Sequence, residues 1–426
     1  MLRDAFLPAA MAGTREPVFR AVARPVRYSG ARWRPETLAS LMAALREGAA
    51  VLRAIPAEDL LAAWGDTVAT FLRPGSLQRR ALDPALAQLC GLSREGLAAG
   101  LDAVLGGVRR EPAAALLASA RPAPPGAGPV LVVLASNLPA LAVQSLLPAL
   151  LVRRPVLLKS PSAEPLFAPA FLAALARREP RLAGAVAAAA WAGGDAKLEA
   201  PVLAGAGTVL AYGEQETLED LERRAPGKVV GYGPKTSLAV VGSDVEIRRT
   251  AEGLARDVAL FDQRGCLSVA AVYTAGDAEA LAARLAEALT DFARRWPPGP
   301  PARPVLAAAQ HLRLEAEMRG LWVSPLAVRH GTVVVDPRPD FQPSPGLRTV
   351  RVHPVEDLSR LPGLLGPWRG RLQGAALAGK GAWELAERLT ELGMSRFAAP
   401  GELQSPDATW HNGGINPLEA LTSPSP

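Results

Sequence analysis

One cysteine stands in a polar, glycine-containing loop in the second half of the chain. The segment at 261–268 is FDQRGCLS, and it lies between a predicted helix and an apolar predicted strand. Loops held by a rigid scaffold often carry reacting side chains. Cys266, once deprotonated, can attack a carbonyl carbon, because a thiolate is the strongest of the ordinary side-chain nucleophiles. The alternative is a buried structural cysteine, since free cysteine is among the most buried residue types.

A cysteine nucleophile needs hydrogen-bond donors for the negative charge that develops on the attacked oxygen. Loss of one such donor typically lowers the rate by about 10²–10³. Asn137 follows an apolar predicted strand, and its side-chain amide is a suitable donor, as is the backbone N–H of Cys266. The alternative for Asn137 is a turn residue before a Leu-Pro pair, where asparagine is common.

The composition is that of a globular protein with room for two or three domains in its 426 residues. Hydrophobic residues make up 49% and aromatic residues only 5%, so alanine, leucine and valine must fill the core. The net charge of +6 is spread along the chain without a block of like charges or a basic stripe interleaved with aromatics. This pattern argues against a nucleic-acid partner.

Cysteine, histidine and hydropathy patterns exclude several other classes. Two cysteines cannot build a disulfide framework, and Cys90 lies at apolar helical spacing, which indicates a core residue. The four histidines and two cysteines show no metal-ligand spacing, so no metal site is predicted. No signal peptide and no apolar run of 18 residues is found, so we expect a cytoplasmic protein without a membrane span.

The elements that must position these residues follow a regular pattern. The first 120 or so residues are predicted to be helical, with helices over 35–54, 58–72 and 93–108. After a Pro- and Gly-rich stretch, strands at 130–134, 156–158, 208–211 and 229–230 alternate with helices at 141–151, 166–177 and 217–224. A second block has strands at 237–241, 269–273, 332–335 and 349–352 and helices at 246–260, 278–294, 306–321 and 383–392.

This alternation predicts an α/β protein with two doubly wound domains, a cleft between them and a helical amino-terminal region. We expect residues 1–120 to pack on the cofactor domain, 121–236 to form a dinucleotide-binding domain, and 237–400 to form the catalytic domain that carries the cysteine. Residues 401–426 are expected to form a tail near the active site. Such sheets bind ligands outside the carboxyl ends of their strands.

Four segments resemble the aldehyde dehydrogenase superfamily, in the same order along the chain. SNLP at 136–139 resembles its WNFP, and LLKSPS at 157–162 resembles its LKPSE. YGE at 212–214 stands where a TGS turn opens a helix, and GYGPK at 231–235 stands where ELGGK is usual. Cys266 follows Gly231 at a spacing close to that between the superfamily's glutamate and its nucleophile.

The resemblance is closer to one branch, the LuxC-type acyl-CoA reductases. The cysteine segment DQRGCLS, the segment RTVRV at 348–352 and the tail GELQSP…WHNGG at 401–414 are similar to that branch. The likeness covers roughly residues 128–418. It implies an aldehyde-dehydrogenase-like fold and NADPH-dependent reduction of a fatty acyl thioester to the aldehyde through an acyl-cysteine. The thioester partner would be acyl-CoA or an acyl-carrier protein, and the protein would be a homo-oligomer.

The resemblance also implies roles for particular residues. Asn137 and the N–H of Cys266 would form the oxyanion hole, and Ser136, Lys159, Ser162 and Gly213 would bind the cofactor. Many relatives have a glutamate in place of Ser162, where it repels a 2′-phosphate, so the serine favours NADPH over NADH. Glu164 lies nearby and would weaken that preference.

Two positions bear on proton transfer. Gly231 stands where hydrolytic aldehyde dehydrogenases keep a glutamate that activates water, so hydrolysis of an acyl-enzyme should be slow. His411 is a candidate acid or base, and a tail histidine bound to a loop carbonyl is its alternative. The resemblance places a carboxylate where this chain has Asn412. Asp262 and Gln263 are expected to shape the cysteine loop rather than react.

Three other functions remain open. An acyltransferase would pass the acyl group from the cysteine to another thiol or amine without hydride transfer. A semialdehyde dehydrogenase would act on an acyl phosphate and would need an anion site near Cys266. A catalytically silent scaffold would not be acylated at all.

Overall fold

The computed structural model describes residues 2–11, 13, 16–23, 26–325 and 327–423. Within these residues, the amino-terminal region contains a small sheet of order β1-β3-β2, followed by helices. The strands are β1 (Leu2–Arg3), β2 (Glu16–Ala23) and β3 (Val26–Arg32), and the helices are α1 (Pro35–Glu47), α2 (Ala49–Ala54), α3 (Ala57–Leu72), α4 (Leu77–Cys90), α5 (Arg94–Gly106) and α6 (Arg110–Ser119).

The helical prediction for this region holds from Pro35 onward, with the first helix divided at Gly48. Residues 2–32 contain strands where helices were expected. The two longer strands of that segment contain Val18, Phe19, Val22, Val26 and Tyr28, whose residue types favour strands over helices.

A parallel five-stranded sheet of order β6-β5-β4-β7-β8 follows. Its elements are β4 (Val130–Val133), α7 (Ala142–Leu151), β5 (Val156–Ser160), α8 (Phe167–Arg178), β6 (Val186–Ala190), α9 (Ala196–Gly205), β7 (Thr208–Tyr212), α10 (Gln215–Arg224) and β8 (Lys228–Tyr232). The winding reverses between β4 and β7, and such a switch point opens a crevice at the carboxyl ends of the two strands.

A parallel six-stranded sheet of order β11-β12-β10-β9-β13-β14 completes the molecule. Its strands are β9 (Thr236–Val241), β10 (Val269–Thr274), β11 (Thr332–Val335), β12 (Thr349–Pro354), β13 (Leu372–Ala378) and β14 (Arg396–Ala398). The helices that follow β9 are α11 (Ile247–Ala259), α12 (Ala278–Arg295), α13 (Arg303–Met318), α14 (Leu361–Leu364), α15 (Ala386–Glu391) and α16 (Glu419–Thr422).

After the amino-terminal region, six of the named elements were not predicted, namely the strands β6, β13 and β14 and the helices α9, α14 and α16. The sequence of β6 is VAAAA and that of β13 is LQGAALA, and alanine and glycine have little preference for strands. Both strands are almost entirely buried, so tight packing between covering layers decides their conformation.

The helical amino-terminal region packs directly on the five-stranded sheet. Trp64 of α3 is fully buried, and its ring contacts Phe171 of α8 edge to face with centroids 5.4 Å apart. Its indole N–H donates to the carbonyl of Val108 at 2.7 Å. One hydrophobic cluster runs from these helices into both parallel sheets. No helix in the described part of the chain combines the length and apolar character needed to cross a membrane.

Candidate functional site

A cleft of about 820 Å³ lies between the two parallel sheets. The five-stranded sheet contributes residues that follow the carboxyl ends of β4, β5, β7 and β8. The six-stranded sheet contributes residues at the amino ends of β9, β10 and β13 and just before β12. The carboxyl edge of one sheet therefore faces the amino edge of the other, and Cys266 shares a single space with the switch point of β4 and β7.

The turn between α11 and β10 has an unusual backbone. Phe261, Asp262 and Gln263 have φ angles of 54°, 52° and 66°. This left-handed region costs a non-glycine residue roughly 1–2 kcal/mol. Three such residues in a row persist only where the surroundings hold them in place.

Asp262 and Gln263 provide the contacts that hold this turn. Oδ1 of Asp262 accepts hydrogen bonds from Nε and Nη2 of Arg348 at 3.0 and 2.8 Å, and Oδ2 accepts from the N–H of Gly299 at 2.9 Å. Nε2 of Gln263 donates to the carbonyl of Thr349 at 2.8 Å, and Oε1 accepts from the N–H of the same residue at 2.8 Å. These contacts support the interpretation that both residues shape the loop.

The loop is also fixed to the amino-terminal helices. The guanidinium of Arg264 donates to the carbonyls of Cys90 and Gly91 at the end of α4, the second at 2.8 Å. The ring of Phe261 lies on α5 at Gly100, where a Cβ would come within 2.2 Å of it. Glycine at position 100 is therefore required for the ring to occupy its place. Cys90 itself is buried, which confirms its prediction as a core residue.

Asn137 and the cysteine loop meet in the cleft. Nδ2 of Asn137 donates to the carbonyl of Arg264 at 3.1 Å, two residues before Cys266. An amide nitrogen carries two N–H groups, so one remains available for a ligand. The N–H groups of Cys266 and Leu267 also interact favourably with the charged form of the thiol. The nucleophile and its expected oxyanion donors are thus brought together, while their catalytic roles stay predictions.

The side chain of Cys266 is half-buried in the cleft wall. Desolvation by the surrounding protein raises the pKa of the thiol to about 11, and the neighbouring backbone N–H groups and the Lys235 ammonium oppose that rise. The thiolate population therefore depends on a few nearby donors and one cation.

Three of the expected cofactor-binding residues, Ser136, Lys159 and Gly213, line the cleft. They follow or end β4, β5 and β7, so the parallel sheet places them at one edge. The fourth, Ser162, is not among the lining residues, and its hydroxyl donates to the carbonyl of Trp191 at 3.3 Å. It lies close to Lys159, because the Lys159 ammonium is 5.7 Å from the centroid of the Trp191 ring.

Ionisable neighbours modify this end of the cleft. Burial lowers the pKa of Lys159, and the carboxylate of Glu199 opposes that effect. The carboxylate of Glu164 binds the start of α8, because Oε1 accepts from the N–H groups of Leu166 and Phe167 at 2.8 Å each.

Gly231 lines the cleft near the end of β8. A Cβ there would lie 3.0 Å from Cδ1 of Leu218, so even a small side chain would displace its neighbour slightly. Among the described residues that line the cleft, Glu214 carries the one carboxylate, and it is exposed. The cleft therefore offers no buried carboxylate close to the thiol that could activate water.

His411 is exposed and lies outside the cleft lining, although its neighbours Trp410 and Asn412 belong to it. The amide oxygen of Asn412 accepts from Nε2 of Gln373 at 2.9 Å. The role of His411 as acid or base stays a prediction, and the geometry gives it no direct contact with the cleft.

Two tyrosines and a lysine in the cleft were missed by sequence reasoning. Tyr212 and Tyr232 end the adjacent strands β7 and β8 in register, and their rings stack with centroids 4.6 Å apart. The hydroxyl of Tyr212 hydrogen-bonds to Ser145 at 2.8 Å. Lys235 lies in the connection between the two sheets and also lines the cleft. The sequence does contain a signal for this pair, because a tyrosine follows each of two consecutive predicted strands.

Both tyrosines also line a second, smaller pocket next to the cleft. Its walls come from α7, β7, the turn after α5 and the carboxyl-terminal tail. They are mostly apolar and include Val108, Val143, Leu147, Leu210, Ala408 and Ile415.

Comparisons with known proteins place these features in a family context. A family model described as "Acyl-CoA reductase (LuxC)" matches residues 78–423. A long-chain acyl-protein thioester reductase from Aliivibrio fischeri is 26% identical over 284 residues, which cover 63% of this chain and 59% of that protein. Long-chain acyl-protein thioester reductase 2 from Photobacterium leiognathi is 24% identical over 306 residues, which cover 68% of this chain and 62% of that protein. The match thus spans about three fifths of each relative's length.

Solved structures with the same fold include several aldehyde dehydrogenases. Aldehyde dehydrogenase 21 from Physcomitrella patens superimposes with a TM-score of 0.73 at 13% identity and covers 99% of this chain and 96% of its own. The NADP-dependent glyceraldehyde-3-phosphate dehydrogenase from Bacillus halodurans gives a TM-score of 0.70 at 15% identity, covering 97% and 94%. These likenesses confirm the predicted aldehyde-dehydrogenase-like fold.

Proposed function

Because this chain belongs to the acyl-CoA reductase (LuxC) family, we propose that it reduces an acyl thioester to the aldehyde with NADPH. The observation that carries the proposal is the placement of Cys266 in a cleft at the switch point of a dinucleotide-type sheet, with Asn137 hydrogen-bonded to the cysteine loop. The acyl donor is coenzyme A or a carrier protein, since both present the same thioester.

The first half of the reaction needs only residues of this chain. The thiolate of Cys266 attacks the thioester carbonyl, the thiolate of the donor leaves, and the acyl group stays on the sulfur. The free N–H of Asn137 and the N–H of Cys266 bind the oxygen that becomes negative during the attack. Because the loop is held by Asp262 and Gln263, these donors need no rearrangement when the charge develops.

The coenzyme side of the cleft fits a nicotinamide dinucleotide. A parallel sheet with its switch point at β4 and β7 is the usual place for such a ligand, and Lys159 supplies a cation at a strand end. When bound, the reduced coenzyme supplies the hydride that converts the acyl group to the aldehyde level. Gly231 supports this outcome, because no side chain at that position can direct water to the acyl-enzyme.

NADPH is the proposed coenzyme because a neutral serine stands at position 162. A hydroxyl leaves room for a 2′-phosphate, whereas a carboxylate would repel it. Glu164 does not undercut this argument, since its carboxylate caps α8 and does not line the cleft.

The small pocket beside the cleft has a volume of about 40 Å³, so it is proposed to receive only the first carbons of the acyl chain. The stacked Tyr212 and Tyr232 lie where this pocket and the cleft share a wall, so they would contact those carbons.

Coenzyme oxidation measured against a series of acyl-CoA chain lengths tests the function, with NADPH and NADH in parallel. We expect NADPH oxidation with a long-chain thioester, and mass spectrometry should find the acyl group on Cys266 when the coenzyme is omitted. A Cys266→Ala variant that still reduces acyl-CoA would remove the mechanism, and Cys90→Ala serves as the matched control.

The same assay separates the alternatives. Release of coenzyme A without NADPH oxidation would identify an acyltransferase, and reduction of acyl phosphates in preference to thioesters would identify a semialdehyde dehydrogenase. Absence of acylation by any thioester would indicate a scaffold.

A further inference from the structure

The surroundings of Cys266 oppose the charge that the proposed reaction needs. Its side chain is half-buried, and desolvation raises the pKa of the thiol to about 11. The backbone N–H groups of Cys266 and Leu267 offset part of this effect. A cation in the same space opposes the rise as well, because a nearby opposite charge favours the thiolate.

Lys235 is in a suitable place to be that cation. It is the last residue before β9, in the short connection that joins the two parallel sheets, and it lines the same cleft as Cys266. A Cβ added to Gly413 would lie 3.5 Å from its Nζ, so the ammonium lies against the carboxyl-terminal tail. The connection is anchored at Thr236, whose N–H donates to the carbonyl of Arg371 at 3.0 Å.

The Lys235 ammonium has no competing partner within the described residues. It makes no ion pair and no hydrogen bond there, whereas most other cations of the cleft region are engaged. The guanidinium of Arg264 is bound to the carbonyls of Cys90 and Gly91, and the Lys159 ammonium lies near the Trp191 ring. The charge of Lys235 is therefore free to act within the cleft.

The other ionisable groups around the thiol do not replace Lys235. Glu214 is exposed and has the wrong sign, and His411 is exposed and outside the lining. Burial raises the pKa of Tyr232 to about 12 and that of Tyr212 further, so both hydroxyls stay neutral near physiological pH. Lys235 is thus the one charged side chain among the described residues that favours the Cys266 thiolate.

We propose that Lys235 is a positioning residue that increases the fraction of Cys266 present as thiolate in the free enzyme. The thiol proton goes to water. Burial lowers the pKa of Lys235 and the charge on Cys266 opposes that effect, so the ammonium and the thiolate stabilise each other. The inference rests on the proposed role of Cys266 as the nucleophile. Its test, however, needs neither an acyl substrate nor a coenzyme.

The test is the rate of alkylation by iodoacetamide measured from about pH 6 to about pH 10, where a thiol near its pKa changes reactivity. Lys235→Met should move the profile to higher pH and slow alkylation near neutrality by roughly tenfold or more, since an opposite charge shifts a pKa by about 1–3 units. Lys235→Arg should restore most of the rate. Cys90 should not be alkylated under these conditions, because burial raises the pKa of its thiol strongly.

Lys197→Met is the matched control, because that lysine is exposed on α9 and outside the cleft. If circular dichroism shows that Lys235→Met misfolds, the Lys235→Gln variant is used in its place. Its thiolate absorbance is then measured as a function of pH. A wild-type profile in Lys235→Met or Lys235→Gln, or an equal shift in Lys197→Met, overturns the proposal. If the alkylation profiles are as expected but the protein does not reduce acyl-CoA, the proposed function is rejected and the role of Lys235 is retained.

Discussion

The two sides of the cleft are built in different ways. On the proposed coenzyme side, Ser136, Lys159 and Gly213 come from or follow the ends of different strands, and the order of one parallel sheet is enough to bring them together. On the cysteine side, Asp262 and Gln263 have left-handed backbones and depend on hydrogen bonds to residues 86 positions later in the chain. The coenzyme side should therefore tolerate single substitutions better than the cysteine side.

The largest effect is expected from breaking the buried ion pair that holds the cysteine loop. Arg348→Met leaves the carboxylate of Asp262 buried without its cation, and such a loss lowers the free energy of unfolding by about 3–5 kcal/mol. Urea unfolding measures the change. Arg248→Met is the control, because its ion pair with Glu252 is exposed and should not contribute measurably. Equal stability of the two variants would show that the buried ion pair does not hold the cysteine loop in place.

The next largest effect is expected at Asn137, where the two sides meet. Asn137→Ala removes one donor for the developing oxyanion and should lower kcat/KM for acyl-CoA reduction by about 10²–10³. The KM for the coenzyme should change by no more than about twofold, since the amide contacts the cysteine loop and not the strand ends. A fall confined to coenzyme affinity would instead assign Asn137 to the coenzyme side.

A smaller effect is expected on the free energy of unfolding as the pH changes, and it arises from Asp257 in the helix before the cysteine loop. Asp257 of α11 is fully buried, accepts from the N–H of Gly401 at 2.7 Å, and leaves Oδ1 without a partner. Burial raises its pKa from 3.8 to about 7, so the folded protein binds this proton more tightly than the unfolded chain. Its contribution to stability is complete below about pH 4 and is lost as the pH rises through about 7.

Asp257→Asn should remove that loss. Between about pH 5 and about pH 8, the free energy of unfolding of the variant should fall by on the order of 2 kcal/mol less than that of the parent. Urea unfolding at the two pH values measures the difference. Parallel pH dependences in the two proteins would show that Asp257 is ionised throughout.

The smallest effect is expected on the coenzyme side. Ser162→Glu places a carboxylate near the proposed 2′-phosphate and should shift the preference from NADPH toward NADH by about tenfold in kcat/KM. Ser162→Gln has the same size without the charge and separates repulsion from crowding. If both variants change the preference equally, charge is not the cause.

The prediction of elements was most successful where apolar residues follow a clear period. Strands such as Thr332–Val335 and helices such as Ala278–Arg295 lie within a residue of their expected bounds. Alanine-rich elements were missed, because β6 and β13 adopt strands only when neighbouring layers leave room for small side chains. Propensity is a weak guide where packing decides.

The sequence by itself determined the family, the strand–helix alternation and the position of Cys266 in a loop before an apolar strand. These features are local, and residue order alone encodes them. Only the tertiary structure decided that Asn137 reaches the carbonyl of Arg264 and that Arg348 fixes the left-handed turn at Asp262. Contacts between residues far apart in the chain depend on how sheets stack and wind, so no local pattern reveals them.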